Sequence, residues 1–200
     1  KLEDARGIQE RALAIRRAAF GDDHAMVAKS LTSMARVAHS NDEAIHLEER
    51  ALAIRERMLG PAHPDVGISL SNLGGYAAAK GNHAAAATRY ERALAVFTAA
   101  LPPDHPYTAR ALSGLGEAYV HLGRASDAIA PLERALAIHE ALDEPVVLAD
   151  AEYALATAVD AARGDRRRAR ELMIRARDHY GQGSEPEAER PVTLTLTTYD

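Results

Sequence analysis

The hexapeptide ERALAI at residues 49–54 decides the fold, because it returns along the chain with little change. It recurs as ERALAV at residues 91–96 and again as ERALAI at residues 133–138, so the two steps are equal in length. An earlier copy, ERALAI at residues 10–15, precedes the first by a slightly shorter step. Self-similarity at a fixed period of this length is typical of arrays in which one helical unit stacks on the next.

A histidine repeats in the same register as the hexapeptide. His24, His63 and His105 are separated first by the shorter step and then by the full one, and each precedes a new stretch of periodic apolar residues. Pro64 and Pro106 directly follow two of them, and proline fits the first position of a helix. We therefore expect the three histidines at or beside helix N-caps.

Each period divides into two helices. In the third period, apolar residues recur at three- and four-residue steps, as expected for one stripe of a helix: Leu112, Leu115, Tyr119 and Leu122. Gly123 ends that helix, because glycine accepts the left-handed C-terminal conformation. A second helix with its own apolar stripe follows. Small residues recur at equivalent positions of successive periods and predict close approach of helix axes: Gly74, Gly116, Ala86, Ala128, Ala93 and Ala135.

The periodicity predicts nine helices in an array over residues 1–181. A lone helix over residues 2–20 is followed by helix pairs near 24–59, 64–101, 106–142 and 145–181. The lone helix should have an apolar face that is exposed, covered by a neighbouring molecule or packed on upstream repeats. Our preferred interpretation is a cut through a longer array.

Residues 182–200 are predicted to form a linker and an extended tail. Residues 184–191 are polar and contain two prolines, and apolar residues then alternate with threonine over residues 192–197, which is typical of a strand. Three interpretations stay open for this tail: a disordered terminus, the first strand of a further domain, or a segment that docks in a groove or on another copy.

Composition excludes several classes of function. The 24 basic and 29 acidic side chains give a net charge of −5, so the chain has no overall basic footprint for nucleic acid. It contains no cysteine, which excludes disulfides, thiolate metal sites and cysteine nucleophiles. Because no apolar run approaches the length of a membrane span and the N-terminus has no signal-peptide pattern, we expect a cytoplasmic protein without membrane contact.

No spacing of residues singles out a catalytic or metal site. No pair of histidines has the spacing that places two ligands on one helix face, so we predict no catalytic residue, no metal ligand and no cofactor. The six histidines outside the repeating set are expected at the surface or in a groove: His39, His46, His83, His121, His139 and His179. For the arginine-rich stretch over residues 163–177 we favour a solvated outer face over a docking site for an acidic partner or nucleic acid.

The repeat pattern resembles the tetratricopeptide repeat (TPR) family, in the 42-residue form found in kinesin light chains and many bacterial regulatory proteins. The family order of large, large-small, aromatic and glycine positions appears as Leu112, Leu115-Gly116, Tyr119 and Gly123. The loop at residues 59–66 is also close to the light-chain form. The resemblance covers roughly residues 1–181 and implies an all-α fold, a right-handed superhelical solenoid of helix pairs.

The resemblance also implies where a ligand would bind. In the family, the first helix of each pair lines the concave surface, and its inward positions outside the core are the candidates. In this chain they are Lys29, Thr32, Ser33, Arg36, His39, Ser71, Asn72, Gly75, Arg110, Ser113, Glu117, His121, Glu152, Tyr153 and Asp160. Asn72 matches the family asparagine that bonds to the backbone of a bound peptide.

We therefore expect a non-enzymatic interaction scaffold that binds a peptide or protein segment in a concave groove. The alternative is a sensor or regulatory region of a larger bacterial signalling protein, such as a serine/threonine kinase or a signalling NTPase. Nucleic acid is not an expected partner. Self-association through the lone first helix or through residues 192–200 is a further expectation.

Overall fold

The computed structural model describes residues 2–142 and 145–182, and these residues form nine α-helices joined by short turns. The helices are α1 (Leu2–Phe20), α2 (Ala25–Ala35), α3 (Asn41–Leu59), α4 (Pro64–Ala79), α5 (His83–Ala100), α6 (Pro106–His121), α7 (Ala125–Glu140), α8 (Pro145–Ala161) and α9 (Arg166–Gln182). The predicted all-α fold is confirmed for this part of the chain. Gln182 ends α9 rather than starting a linker, and the tail predicted over residues 183–200 lies outside the described residues.

The chain forms two compact units that divide between Pro102 and Pro103. In the N-terminal unit, α1 packs on α2, α2 on α3, α3 on α4 and α4 on α5. In the C-terminal unit, α6 packs on α7 and on α8, α7 on α8, and α8 on α9. Each helix therefore packs chiefly on helices that lie near it in the sequence, as expected for stacked helix pairs.

The three repeating histidines cap helices, as predicted. Nδ1 of His24, His63 and His105 accepts a hydrogen bond, in each case 3.1 Å long, from the backbone N–H two residues further on. All three residues have extended backbone conformations and precede the first residue of α2, α4 and α6. The side chain thus satisfies one of the N–H groups that a helix start leaves without an intrahelical partner.

The repeated glycines allow close helix contact, as predicted. A Cβ atom on Gly116 would lie 2.4 Å from Cγ of Leu132, and one on Gly74 would lie 2.9 Å from the ring of Tyr90. A third glycine, which the repeat pattern did not indicate, behaves in the same way: a Cβ atom on Gly67 would lie 2.5 Å from the ring of Phe97. Large side chains of α5 and α7 therefore lie directly on the backbone of α4 and α6.

A charged pair lies inside the N-terminal unit. Glu48 is fully buried, and Arg55, two helical turns further along α3, is almost fully buried. The Arg55 guanidinium donates to Glu48 over 3.3 Å and also to the hydroxyl of Ser69 on α4, while Thr32 on α2 donates to Glu48 over 3.1 Å. Burial raises the pKa of Glu48, although hydrogen bonds from Ser69 and Thr32 and the charge of Arg55 oppose that rise.

Ion pairs connect the second helices of neighbouring repeats. Arg168 and Arg175 of α9 pair with Glu133 and Glu140 of α7 at 2.6 and 2.9 Å, which accounts for part of the arginine-rich stretch. In the N-terminal unit, Arg89 and Arg92 of α5 make the corresponding pairs with α3. These contacts support the interpretation of the arginine-rich stretch as a structural outer face.

Several large apolar side chains of the first helix are exposed to solvent. Ile8, Ile15 and Phe20 of α1 are 56%, 69% and 52% exposed. The equivalent residues of α3, Leu47 and Ile54, are buried because α2 lies before α3 and covers them. Within the described residues, no helix is both long enough and apolar enough to cross a lipid bilayer.

Candidate functional site

A cavity of about 490 Å³ in the C-terminal unit brings predicted groove residues together. It opens between α6 and α8 and is lined by Glu117, Val120, His121, Asp150, Tyr153, Ala154 and Thr157. Its volume lies in the range typical of ligand pockets. Glu117, His121 and Tyr153 were predicted from the sequence, so this cavity contains three of the candidate residues.

The spacing of the candidates on α6 explains why they share a face. Arg110, Ser113, Glu117 and His121 follow one another at steps of three and four residues, which places them along one side of a helix. Arg110, Glu117 and His121 are solvent accessible. Oγ of Ser113 is buried and has no hydrogen-bond partner among the residues that the structure describes. The α6 face therefore has exposed polar groups at both ends and a small buried hydroxyl between them.

Two carboxylates, those of Glu117 and Asp150, line the cavity together with the imidazole of His121. Desolvation raises the pKa of Glu117, the nearby charge of Asp150 raises it further, and the charge of His121 opposes the rise. The carboxyl group of Glu117 is thus accessible from the cavity but crowded by protein atoms that partly replace its water. A positive group that entered the cavity would favour the ionised form of this carboxyl.

Asp150 is held in place by α9. The hydroxyl of Tyr180 donates a hydrogen bond of 2.5 Å to Oδ1 of Asp150. Burial and this hydrogen bond raise the pKa of Tyr180 above its ordinary value, so the phenol keeps its proton and remains the donor. The wall of the cavity on α8 is therefore supported from behind by the last helix of the unit.

The candidates of the N-terminal unit lie in two different environments. Lys29 and Arg36 are exposed on α2 and at its C-terminal end, and the hydroxyl of Ser33 donates 3.1 Å to the carbonyl of Lys29. Ser71 is only 5% exposed. Asn72 is half-buried and hydrogen bonds to the buried carboxyl of Glu48, so part of its amide contacts the core.

Three expectations of surface exposure were wrong. Ser71, a predicted groove residue, is buried. Glu152, placed in the groove by the repeat register, is fully buried, because Arg175 and His179 of α9 each reach it over 2.7 Å. His139 is also buried. Glu152 is equivalent by repeat register to Ser71 and is buried like it, so this register position faces the protein interior in both units.

The sequence analysis missed the two other polar residues of the cavity. Asp150 and Thr157 lie three residues before and four residues after Tyr153, so helix periodicity places them on the same face of α8. That spacing was the available signal. Elsewhere, the described ranges contain no group of three or more His, Cys, Asp or Glu side chains arranged to hold a metal ion. The chemistry available in the cavity is recognition by charge, hydrogen bonding and ring contact.

Comparison with known proteins identifies the repeat. A family model for the tetratricopeptide repeat matches residues 1–57, 38–99 and 65–141, which together cover more than half of the chain. This chain belongs to the tetratricopeptide repeat family. TPR repeats generally mediate interactions between proteins, and the TPR fold typically serves as a scaffold rather than an enzyme. A search of curated proteins gave no significant match.

Solved structures share the TPR fold. The nearly identical TPR-like repeats described for a Podosopora anserina kinesin light chain are 24% identical, with a TM-score of 0.71 over 92% of this chain and 89% of that one. BtubC (BKLC) from P. vanneervenii is 19% identical, with a TM-score of 0.68 over 92% and 94%. A Rap protein is 14% identical, with a TM-score of 0.65 over all of this chain and 59% of that one. The predicted fold class, an all-α array of TPR helix pairs, is confirmed.

Proposed function

We propose that this TPR chain is a non-enzymatic scaffold that binds a peptide or protein segment along the inward faces of its first-type helices. The cavity between α6 and α8 carries the proposal, because it brings together Glu117, His121 and Tyr153. These are three of the residues for which the resemblance to the family implies contact with a ligand. Its lining combines two carboxylates, an imidazole, a phenol and apolar side chains, which are the groups that recognise a peptide by several weak contacts.

A structural neighbour supports this class of function. The Rap protein that shares the fold was solved in complex with Competence and Sporulation Factor. The exposed cations Lys29 and Arg36 in the N-terminal unit and Arg110 in the C-terminal unit add charged groups that suit acidic side chains or a terminal carboxylate.

Asn72 is half-buried and remains a candidate, whereas the hydroxyls of Ser71 and Ser113 are buried and leave the candidate set. An amide offers both a donor and an acceptor to an extended backbone. Asn72 hydrogen bonds to Glu48, and this bond fixes the orientation of the Asn72 amide. We therefore assign Asn72 a supporting role in ligand binding.

The test selects ligands and then removes the proposed surface. Random dodecapeptides displayed on phage are selected on the full chain, and the affinity of the enriched peptides is measured by fluorescence anisotropy. We expect Arg110→Ala/His121→Ala to weaken binding at least about tenfold, since two polar contacts of ordinary strength are lost. A matched control, Arg92→Ala/His46→Ala, removes the same residue types from exposed positions on second-type helices.

Circular dichroism establishes that both variants keep the helical content of the parent chain. Equal loss in the two variants, or no loss in the first, would place the peptides on another surface and contradict the proposal. Failure to enrich any peptide would contradict it as well.

A further inference from the structure

The α6–α8 cavity is lined by two carboxylates and by the imidazole of His121. Glu117 and Asp150 are its two carboxylates, and no lysine or arginine is among the seven lining residues. Neither carboxylate forms an ion pair with a lysine or arginine within residues 4–142 and 145–181. By contrast, most acidic side chains of the neighbouring helices α7 and α9 do form such pairs. The fold thus leaves both carboxylates without an ion pair to lysine or arginine in the described part of the chain, and His121 is the nearby group whose charge favours the ionised form of Glu117.

The remaining lining suits a long side chain with a positive end. Val120 and Ala154 provide apolar wall, and Tyr153 contributes an aromatic ring. Lysine and arginine side chains place an alkyl stem against apolar surface while the charged end meets carboxylates or the face of a ring. The hydroxyl of Thr157 donates its proton to the carbonyl of Tyr153 over 2.9 Å, which leaves its lone pairs to accept a hydrogen bond from a cationic group.

We propose that this cavity receives the lysine or arginine side chain of a bound peptide, with Glu117 and Asp150 as its two carboxylate partners. The inference rests on the proposed peptide-binding function and names the side chain that the C-terminal unit selects. Arginine is the better fit, because a planar guanidinium can donate to two carboxylates at once and stack on a ring.

The electrostatics of the cavity support the assignment. Crowding by protein atoms and the proximity of Asp150 both make the ionised form of Glu117 unfavourable, which is the sense in which its pKa is raised. A guanidinium between the two carboxylates would remove their mutual repulsion. Tyr180 holds Asp150 from α9 over 2.5 Å, so at least one of the two partners is positioned before a ligand arrives.

The experiment uses two probes of nearly the same shape, one with a cationic guanidinium and one with a neutral ureido group. N-acetyl-arginine methylamide and its neutral isostere N-acetyl-citrulline methylamide are titrated separately into the ¹⁵N-labelled full chain at pH 7, and amide shifts are followed by two-dimensional NMR. We expect saturable shifts for amides of α6 and α8 around Glu117, Asp150 and Tyr153 with the arginine probe. The citrulline probe should bind at least about tenfold more weakly, because it cannot form a charge-assisted contact.

Two variants with the same change in net charge separate the cavity from general attraction. Glu117→Gln/Asp150→Asn removes both partners and should abolish the saturable shifts. Asp104→Asn/Glu171→Gln removes two exposed carboxylates of the same unit outside the cavity and should leave them unchanged. Glu117→Gln alone, at an accessible position, should weaken binding and keeps the test valid if the double variant unfolds.

The outcomes distinguish this inference from the proposed function. Equal binding of the two probes, shifts outside α6 and α8, or equal loss in the control variant would overturn the cation pocket. A different result is that binding of the displayed peptides requires Arg110 and His121 and yet is unchanged in Glu117→Gln/Asp150→Asn. That result would support peptide binding in the groove and contradict the cation pocket. If the arginine probe binds here while no peptide is enriched, the proposed function falls and the cavity remains a site for small cations.

Discussion

The first two complete helix pairs fill equivalent positions with opposite chemistry. Glu48 and Arg55 of α3 correspond by repeat register to Tyr90 and Phe97 of α5. In the second pair the two rings lie on glycine backbone of α4, with Tyr90 against Gly74. In the first pair a buried carboxylate and guanidinium contact each other at 3.3 Å and hydrogen bond to hydroxyls of the adjoining helices.

The comparison shows that stacking requires these positions to be occupied but does not require them to be apolar. An aromatic ring gains from leaving water and from dense contacts. A buried ion pair must recover a large desolvation cost through its own attraction and through surrounding hydrogen bonds. The first pair therefore depends on every member of its polar group, while the second depends on fit between rings and backbone.

The largest effect is expected from removing one half of the buried ion pair. Arg55→Met leaves Glu48 buried without its cation and should lower the free energy of unfolding by about 3–5 kcal/mol. Glu48→Met/Arg55→Met replaces both charges with flexible apolar side chains and should restore most of that loss, because exchange of a whole buried ion pair for apolar residues is often neutral or stabilising.

Urea denaturation of the full chain, followed by circular dichroism, measures both variants and Glu48→Met as a double-mutant cycle. Additive losses in the double variant would show that the two charges do not act as a unit. Such a result would remove the contrast drawn between the two helix pairs.

The second pair should be most sensitive at its glycine contact. A methyl group at Gly74 would lie 2.9 Å from the Tyr90 ring, so Gly74→Ala should destabilise the chain by about 1–3 kcal/mol through overpacking. Gly75→Ala is the matched control: its methyl group would lie 3.6 Å from the Tyr90 hydroxyl, an ordinary contact. The control should be neutral or stabilising by up to about 1 kcal/mol, since alanine favours a helix over glycine. Similar urea midpoints for the two variants would contradict the close-contact interpretation.

A smaller effect is expected at the histidine caps that begin the two pairs. His63→Ala should cost about 1 kcal/mol, and His63→Asn should restore most of it, because asparagine also accepts from a helix N-terminal N–H. His24→Ala should cost about 0.5 kcal/mol more, since the ring of His24 also stacks on Phe20 at 4.5 Å between centroids. Thermal or urea unfolding measures the stability of each variant. Equal stabilities of His63→Asn and His63→Ala would show that the cap hydrogen bond does not stabilise the fold.

The smallest effect is the part of the pH dependence of stability that comes from Glu48 in the first pair. Burial raises the pKa of Glu48 in the folded chain, so the folded state keeps a proton that the unfolded state has already lost. Stability should therefore fall as the pH rises from the ordinary glutamate pKa through the raised value, and should be unaffected by this group below that window. Glu48→Gln should lose this component, and the difference between the urea stabilities of the two chains over pH isolates it. A difference that is constant with pH, or that increases stability at higher pH, would contradict the raised pKa.

Much of the fold could be predicted because the repeat presents the same information several times. Gly74 and Gly116 share a register position, and their common role in close packing followed from that recurrence. Gly67 could not be found in this way, because alanine occupies the equivalent positions 28 and 109. Glu48 was equally hidden: a charged residue on a helix suggests solvent, and only the side chains of α2 and α4 around it explain its burial.

The candidate site was accessible to prediction only along single helices. Spacing on α6 connected Glu117 with His121, and spacing on α8 could have connected Asp150 with Tyr153. That Glu117 and Asp150 face the same cavity depends on the packing of α6 against α8, which no local pattern expresses. Register also misplaced Glu152, because the position that it shares with Ser71 faces the protein interior, where Arg175 and His179 contact its carboxylate.

Within the N-terminal unit, each helix packs chiefly on the helix before and the helix after it. Contacts between residues close in sequence cost little loop entropy to form, so we expect this unit to fold rapidly. The same arrangement should make the free energy of local unfolding differ from helix to helix within the unit. Helix α1, which packs on α2 and is tied to α3 through the pair between Arg6 and Glu43, should exchange its amide hydrogens well before α4, which is enclosed on both sides.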